Sequence, residues 1–140
     1  MKRIFILLTV LVLTGCPGIK DRIPLSEKAG VTLKDDHVCV TVQPLNDEKL
    51  EAISIYRVDH PDDRKSIFFS PPESIESARC VPDNGYIFEE NVTYHFSTKL
   101  TSAARERARE WPFSREFAVE FRLTSSNGKV TIEEPGEGVR

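Results

Sequence analysis

Three thiols, three imidazoles and one short run of carboxylates are the groups in this 140-residue chain most able to do chemistry. Cys16, Cys39 and Cys80 could each act as a nucleophile, a metal ligand or half of a disulfide. A structural zinc site needs four ligands at short spacings, and neither Cys39 nor Cys80 has a third and fourth ligand at such spacing. His37 and His95 alternate with apolar neighbours, which puts both on the polar faces of expected strands, open to solvent. His60 lies in Asp59-His60-Pro61-Asp62-Asp63, whose oxygens could meet a hard cation. The order lacks the Asp-x-Asp-x-Asp-Gly rhythm of a calcium loop, and Pro-Asp-Asp is ordinary turn chemistry. The chain has no Gly-x-Ser-x-Gly elbow, no His-Glu-x-x-His and no glycine-rich phosphate loop. We therefore expect no catalytic residue, no metal and no cofactor, and a protein that binds rather than reacts.

Cys16 closes a stretch with a chemistry of its own. Lys2 and Arg3 give a positive start, Ile4 to Leu13 is almost wholly apolar, and small residues lead into the cysteine, the layout of a secretory signal. The apolar run is about half the roughly 20 residues a bilayer-spanning helix needs. Leu13-Thr14-Gly15-Cys16 resembles the lipobox of bacterial lipoproteins. The resemblance implies cleavage before Cys16, acylation of its thiol, and attachment through three acyl chains, where one alone would hold only marginally. Pro17 follows the cysteine instead of the Asp that retains such proteins at the inner membrane, so the family rule points to the periplasmic face of the outer membrane.

If Cys16 carries lipid, Cys39 and Cys80 remain, and the implied compartment is oxidising. A single disulfide between them is expected, with paired metal ligation or a reactive thiol as the alternatives. Without Lys2 and Arg3 the chain holds 17 cations against 22 anions, a net charge of −5. That balance argues against nucleic acid and anionic headgroups as main partners and is compatible with a basic protein. No small-molecule substrate is expected.

These groups have to be held by something, and the pattern of the chain says what. Residues 1–15 read as signal peptide and residues 16–30, with two prolines and two glycines from Pro17 onward, as a lipidated tether able to reach about 45–50 Å. Residues 31–134 read as the folded domain and 135–140 as a loose tail. Val38, Val40 and Val42 alternate with polar neighbours, and Ala52–Val58 and Val92–Leu100 follow the same period of two, the last with the strength of a central strand. Lys65–Phe69 and Ile75–Val81 are weaker candidates. Phe117, Val119, Phe121 and Leu123 form another strand, and Asn127-Gly128 turns it back into Val130 and Ile132. Pro82-Asp83-Asn84-Gly85 is a further turn. Only Ser102–Glu110 has helical character, with Ser102 as cap and Trp111-Pro112 as stop. The whole reads as all-β, an immunoglobulin-like β-sandwich of about seven or eight strands with one short helix. It departs from a true immunoglobulin domain because Cys39 falls on the polar side of its strand and Trp111 comes after Cys80.

One stretch could meet a partner, and a set of short motifs carries a resemblance. Arg105, Arg109, Trp111 and Phe113 combine the residue types that interfaces favour, although a solvated helix face and an apolar plug are the commoner reading of such residues. Val38-Cys39-Val40, Cys80-Val81-Pro82 followed by Gly85-Tyr86-Ile87-Phe88, and Tyr94, taken with the lipobox, resemble small periplasmic lipoproteins described as type VI secretion immunity proteins. That resemblance implies a protein that shelters its own cell by covering the active cleft of a delivered toxin, and it carries over no catalytic residue. The alternative is a structural or assembly lipoprotein of the envelope or of a secretion apparatus.

Overall fold

The computed structural model describes residues 26–135. The signal and lipobox readings, Cys16 among them, lie outside these residues, as does the tail from residue 136. Eight strands run β1 (Ser26–Lys28), β2 (Gly30–Lys34), β3 (His37–Thr41), β4 (Lys49–Arg57), β5 (His60–Glu73), β6 (Thr93–Thr101), β7 (Ser114–Ser126) and β8 (Lys129–Glu133), with the helix α1 (Ala103–Ala108) between β6 and β7. They form an all-β, sandwich-like fold of two unequal layers. One sheet has the order β1-β7-β6-β4-β5 with β8 also on β7, and the other is the hairpin β2-β3. The strands divide six and two, unlike the near-even split of an immunoglobulin domain.

β6 sits at the centre because its alternation supplies a complete apolar face. Tyr94, Phe96 and Leu100 are buried with Thr98 between them, while β7 contributes Phe117, Val119 and Phe121 and β4 contributes Leu50, Ile53 and Ile55. Across this face lies β3, whose Val40, with Val42 just past the strand's end, completes the core. Arg122 pairs with Thr93 of β6 on one side and with Glu133 of β8 on the other, so β1 and β8 share the outer edge of β7. β1 takes the early part of that edge, running parallel from Ser26 beside Glu116. Asn127 and Gly128, both at positive φ, close the β7-β8 hairpin as their residue types demand.

Two expectations need correcting. The tether cannot extend to residue 30, because Ser26–Lys28 pairs with β7 and Ala29 donates its N–H to the Ala118 carbonyl at 3.0 Å. Pairing to an existing strand outweighs the weak local pattern of Ser-Glu-Lys. Ile75–Val81 is not a strand, since its segment forms a turn and then runs irregularly beside β3. Cys39 keeps the expected side of β3, away from the core, and the chain brought there by its bond to Cys80 leaves it 4 % exposed.

Candidate partner-binding groove

The Cys39–Cys80 disulfide fastens residues 80–82 along β3, where the Val81 N–H also donates to the Val40 carbonyl at 2.7 Å. The chain then reverses. Asn84 and Gly85 both take positive φ, the Asp83 carboxylate accepts from the Gly85 N–H at 3.0 Å, and the Asp83 carbonyl accepts from the Tyr86 N–H at 3.2 Å. Beyond the turn, Tyr86 and Phe88 fold back against the end of the large sheet. Phe88 meets Tyr94 edge-on at 5.0 Å and Phe121 at 5.3 Å, and Tyr86 meets Tyr94 edge-on at 5.8 Å. The Glu89 N–H donates to Tyr94 Oη at 2.8 Å and closes the loop. Partial burial pushes the Tyr86 phenol above its usual range.

With its two neighbours turned inward, Ile87 turns outward and is 83 % exposed, more than the other exposed large apolar side chains among the described residues. Leaving it in water forgoes up to about 3 kcal/mol of burial. It stands over a groove of about 630 Å³ lined by Val38, Val81, Pro82, Tyr86, Phe88 and Leu123, with Asp36, His37 and Asp83 on its walls. A second cleft of about 820 Å³ shares Asp36 and continues past Asp35 and Lys129 to Ile132. Asp35 and Asp36 form the β2-β3 turn, both at positive φ. The arrangement offers shape, apolar surface and negative charge. Among the described residues no group of three His, Cys, Asp or Glu side chains could hold a metal ion.

The four side chains singled out for contact lie at the other end of β6. Ser102 caps α1 by accepting from the Arg105 N–H at 3.2 Å, and its hydroxyl donates to Asp47 at 2.6 Å. Asp47 also accepts from the Ala104 N–H at 3.0 Å, and these hydrogen bonds hold its carboxyl below its usual value. Arg105 donates to the carbonyls of Glu110 at 3.2 Å and Trp111 at 3.2 Å, latching the loop that follows the helix. Arg109 ends the helix in the left-handed region at φ 56°. Trp111 and Phe113 are half-buried. The four residues share one end of the fold, but Arg105 is engaged in holding its own loop.

The histidines divide. His37 is exposed at the groove and His60 is exposed beside Asp59 at 3.3 Å. His95 is half-buried instead, stacked on Tyr56 at 4.8 Å with Arg64 over the same tyrosine at 4.6 Å, because long side chains on adjacent strands cover it. Gly85–Phe88 enters the resemblance by its residues alone, which do not say that the segment borders a groove. The signal was there: an apolar run straight after a turn, without the polar alternation of a strand.

A family model for a domain of unknown function (DUF7480) matches residues 26–126, from the first residue of β1 to the last of β7. The chain belongs to this family. The DUF7480 match takes in both bonded cysteines and the groove-forming segment 80–88. No curated protein matches the chain, and no solved structure does.

Proposed function

We propose that this DUF7480 protein is a lipid-anchored periplasmic binding module of the outer membrane, and that its partner is a protein. The observation that carries the reading is the exposed Ile87 on a loop fastened by a disulfide before it and by Tyr94 after it. A rigid apolar protrusion beside a groove lowers the ordering cost of association, which is what a surface built for contact requires. The lipobox-like Leu13-Thr14-Gly15-Cys16 supports the anchor, and a disulfide suits an oxidising compartment. By its resemblance to type VI immunity lipoproteins, the partner is a toxin whose cleft the module occludes. A docking component of the envelope or of a secretion apparatus is the second reading, favoured by the same exposed loop.

Fractionation tests the anchor. The native protein is expected with outer membranes and the Cys16→Ser variant in the soluble or inner-membrane fraction; a variant that still follows the outer membrane removes the lipid from the account. Immunity predicts that deleting the gene sensitises cells to a co-encoded toxin delivered to the periplasm. Unchanged survival against every such toxin leaves the assembly role.

A further inference from the structure

The groove has a chemistry narrower than protein binding in general, and it lies at a particular end of the molecule. Its walls carry apolar Val38, Val81, Pro82 and Phe88, and its lining includes two carboxylate side chains, Asp36 and Asp83, beside His37, with no lysine or arginine. The adjoining cleft adds Asp35 against a single lysine, Lys129. Leu123 lines the groove, whereas Ser26, where the described chain begins, pairs beside Glu116. Seven residues of β7 separate these points, roughly 23 Å at the rise of a strand. Ser26 therefore lies at the end of β7 far from the groove.

We propose that this groove receives a segment of a different protein that presents a large apolar side chain between lysines or arginines. The apolar side chain packs beside Ile87 and against Val81 and Phe88, and the cations meet Asp36 and Asp83. Complementary charge of this kind sets register and speeds encounter more than it adds raw affinity. The proposal rests on the reading of the chain as a protein-binding module and deepens it at the same site.

Two measurements test it on the full-length protein. In the first, the purified lipidated protein in detergent is titrated with acetyl-Arg-Phe-Arg-amide and with acetyl-Glu-Phe-Glu-amide, and binding is followed by resonance shifts. The cationic peptide is expected to shift residues 36–38 and 80–88 and to bind at least about tenfold tighter, a preference that shrinks with added salt and in Asp36→Asn/Asp83→Asn. Equal binding of the two peptides, or shifts confined to other residues, overturns the proposal.

In the second, a photo-crosslinking phenylalanine replaces Ile87, or Phe68 on the outer strand β5, in cells that carry the gene, and the attached peptide is sequenced. An adduct at position 87 whose peptide joins Lys or Arg to a large apolar residue supports the proposal. An adduct at position 68 alone, an acidic peptide, or a peptide of this chain itself overturns it while leaving a binding module. Adducts at neither position overturn the binding module too.

Discussion

At the scale of single residues, the most consequential side chain is Arg115, which no motif announced. It donates to both Glu48 oxygens at 2.7 Å, to Glu27 at 2.9 Å and to the Gln43 carbonyl at 2.8 Å, and lies over the Phe117 ring at 4.9 Å. One guanidinium thus ties β1, the loop before β4 and the start of β7, which its planar fork of donors allows and an ammonium does not. Side-chain exposures of 13 % for Arg115 and 7 % for Glu48 place the pair where losing one partner strands the other. Arg115→Met is expected to cost about 3 kcal/mol in denaturant unfolding, with part recovered in Arg115→Met/Glu48→Met. Burial raises the Glu48 carboxyl, but the Arg115 and Leu45 hydrogen bonds and the guanidinium charge outweigh it and leave the group below 4.5. A carboxylate depressed on folding stabilises the protein above its unfolded value and loses that contribution as pH falls through its folded one. Unfolding midpoints should therefore decline on acidification below about pH 5, less steeply in Glu48→Gln.

At the scale of elements, α1 shows how little local propensity contributes. It has six residues, none buried, far fewer than an isolated helix needs to persist in water. What forms it is tertiary: Ser102 is 2 % exposed, its N–H donates to the Phe113 carbonyl at 2.8 Å, and Asp47 from a distant loop caps it a second time. Ser102→Ala should cost about 1–2 kcal/mol, read from thermal or urea unfolding, and should loosen the Trp111 loop that Arg105 holds. The edge strand β5 makes a complementary point. Its register against β4 slips at both ends, Pro61, Pro71 and Pro72 interrupt its donors, and Asp62 to Lys65 charge it, all of which discourage edge pairing.

For the whole molecule, the decisive asymmetry is six strands against two. A two-stranded hairpin is marginal alone, so β2-β3 depends on packing over the large sheet and on the Cys39–Cys80 bond. The bond spans 41 residues, and in the chain-entropy model such a closure is worth about 4 kcal/mol. Replacing both cysteines by serine is expected to lower unfolding free energy by a few kcal/mol and to admit thiol-independent proteolysis near residues 80–88 first, since that segment loses its covalent hold. A double variant with unchanged stability and the same cleavage pattern would mean that core packing alone holds the second layer.

Alternation of apolar and polar residues was sufficient for β3, β4, β6, β7 and the β7-β8 hairpin, because side chains on a strand point to opposite faces whatever surrounds them. Cysteine number was likewise enough to expect one bridge. Period two could not say that β1 joins the sheet, since three polar residues gain a strand only from a neighbour's free edge. Nor could it give the burial of Cys39, because covering the far side of β3 requires the segment 80–82 to arrive there from 41 residues away. The groove belongs to the same class: β3, the turn at Asp83–Gly85 and the end of β7 are distant in the chain, and only folding sets their side chains around one space.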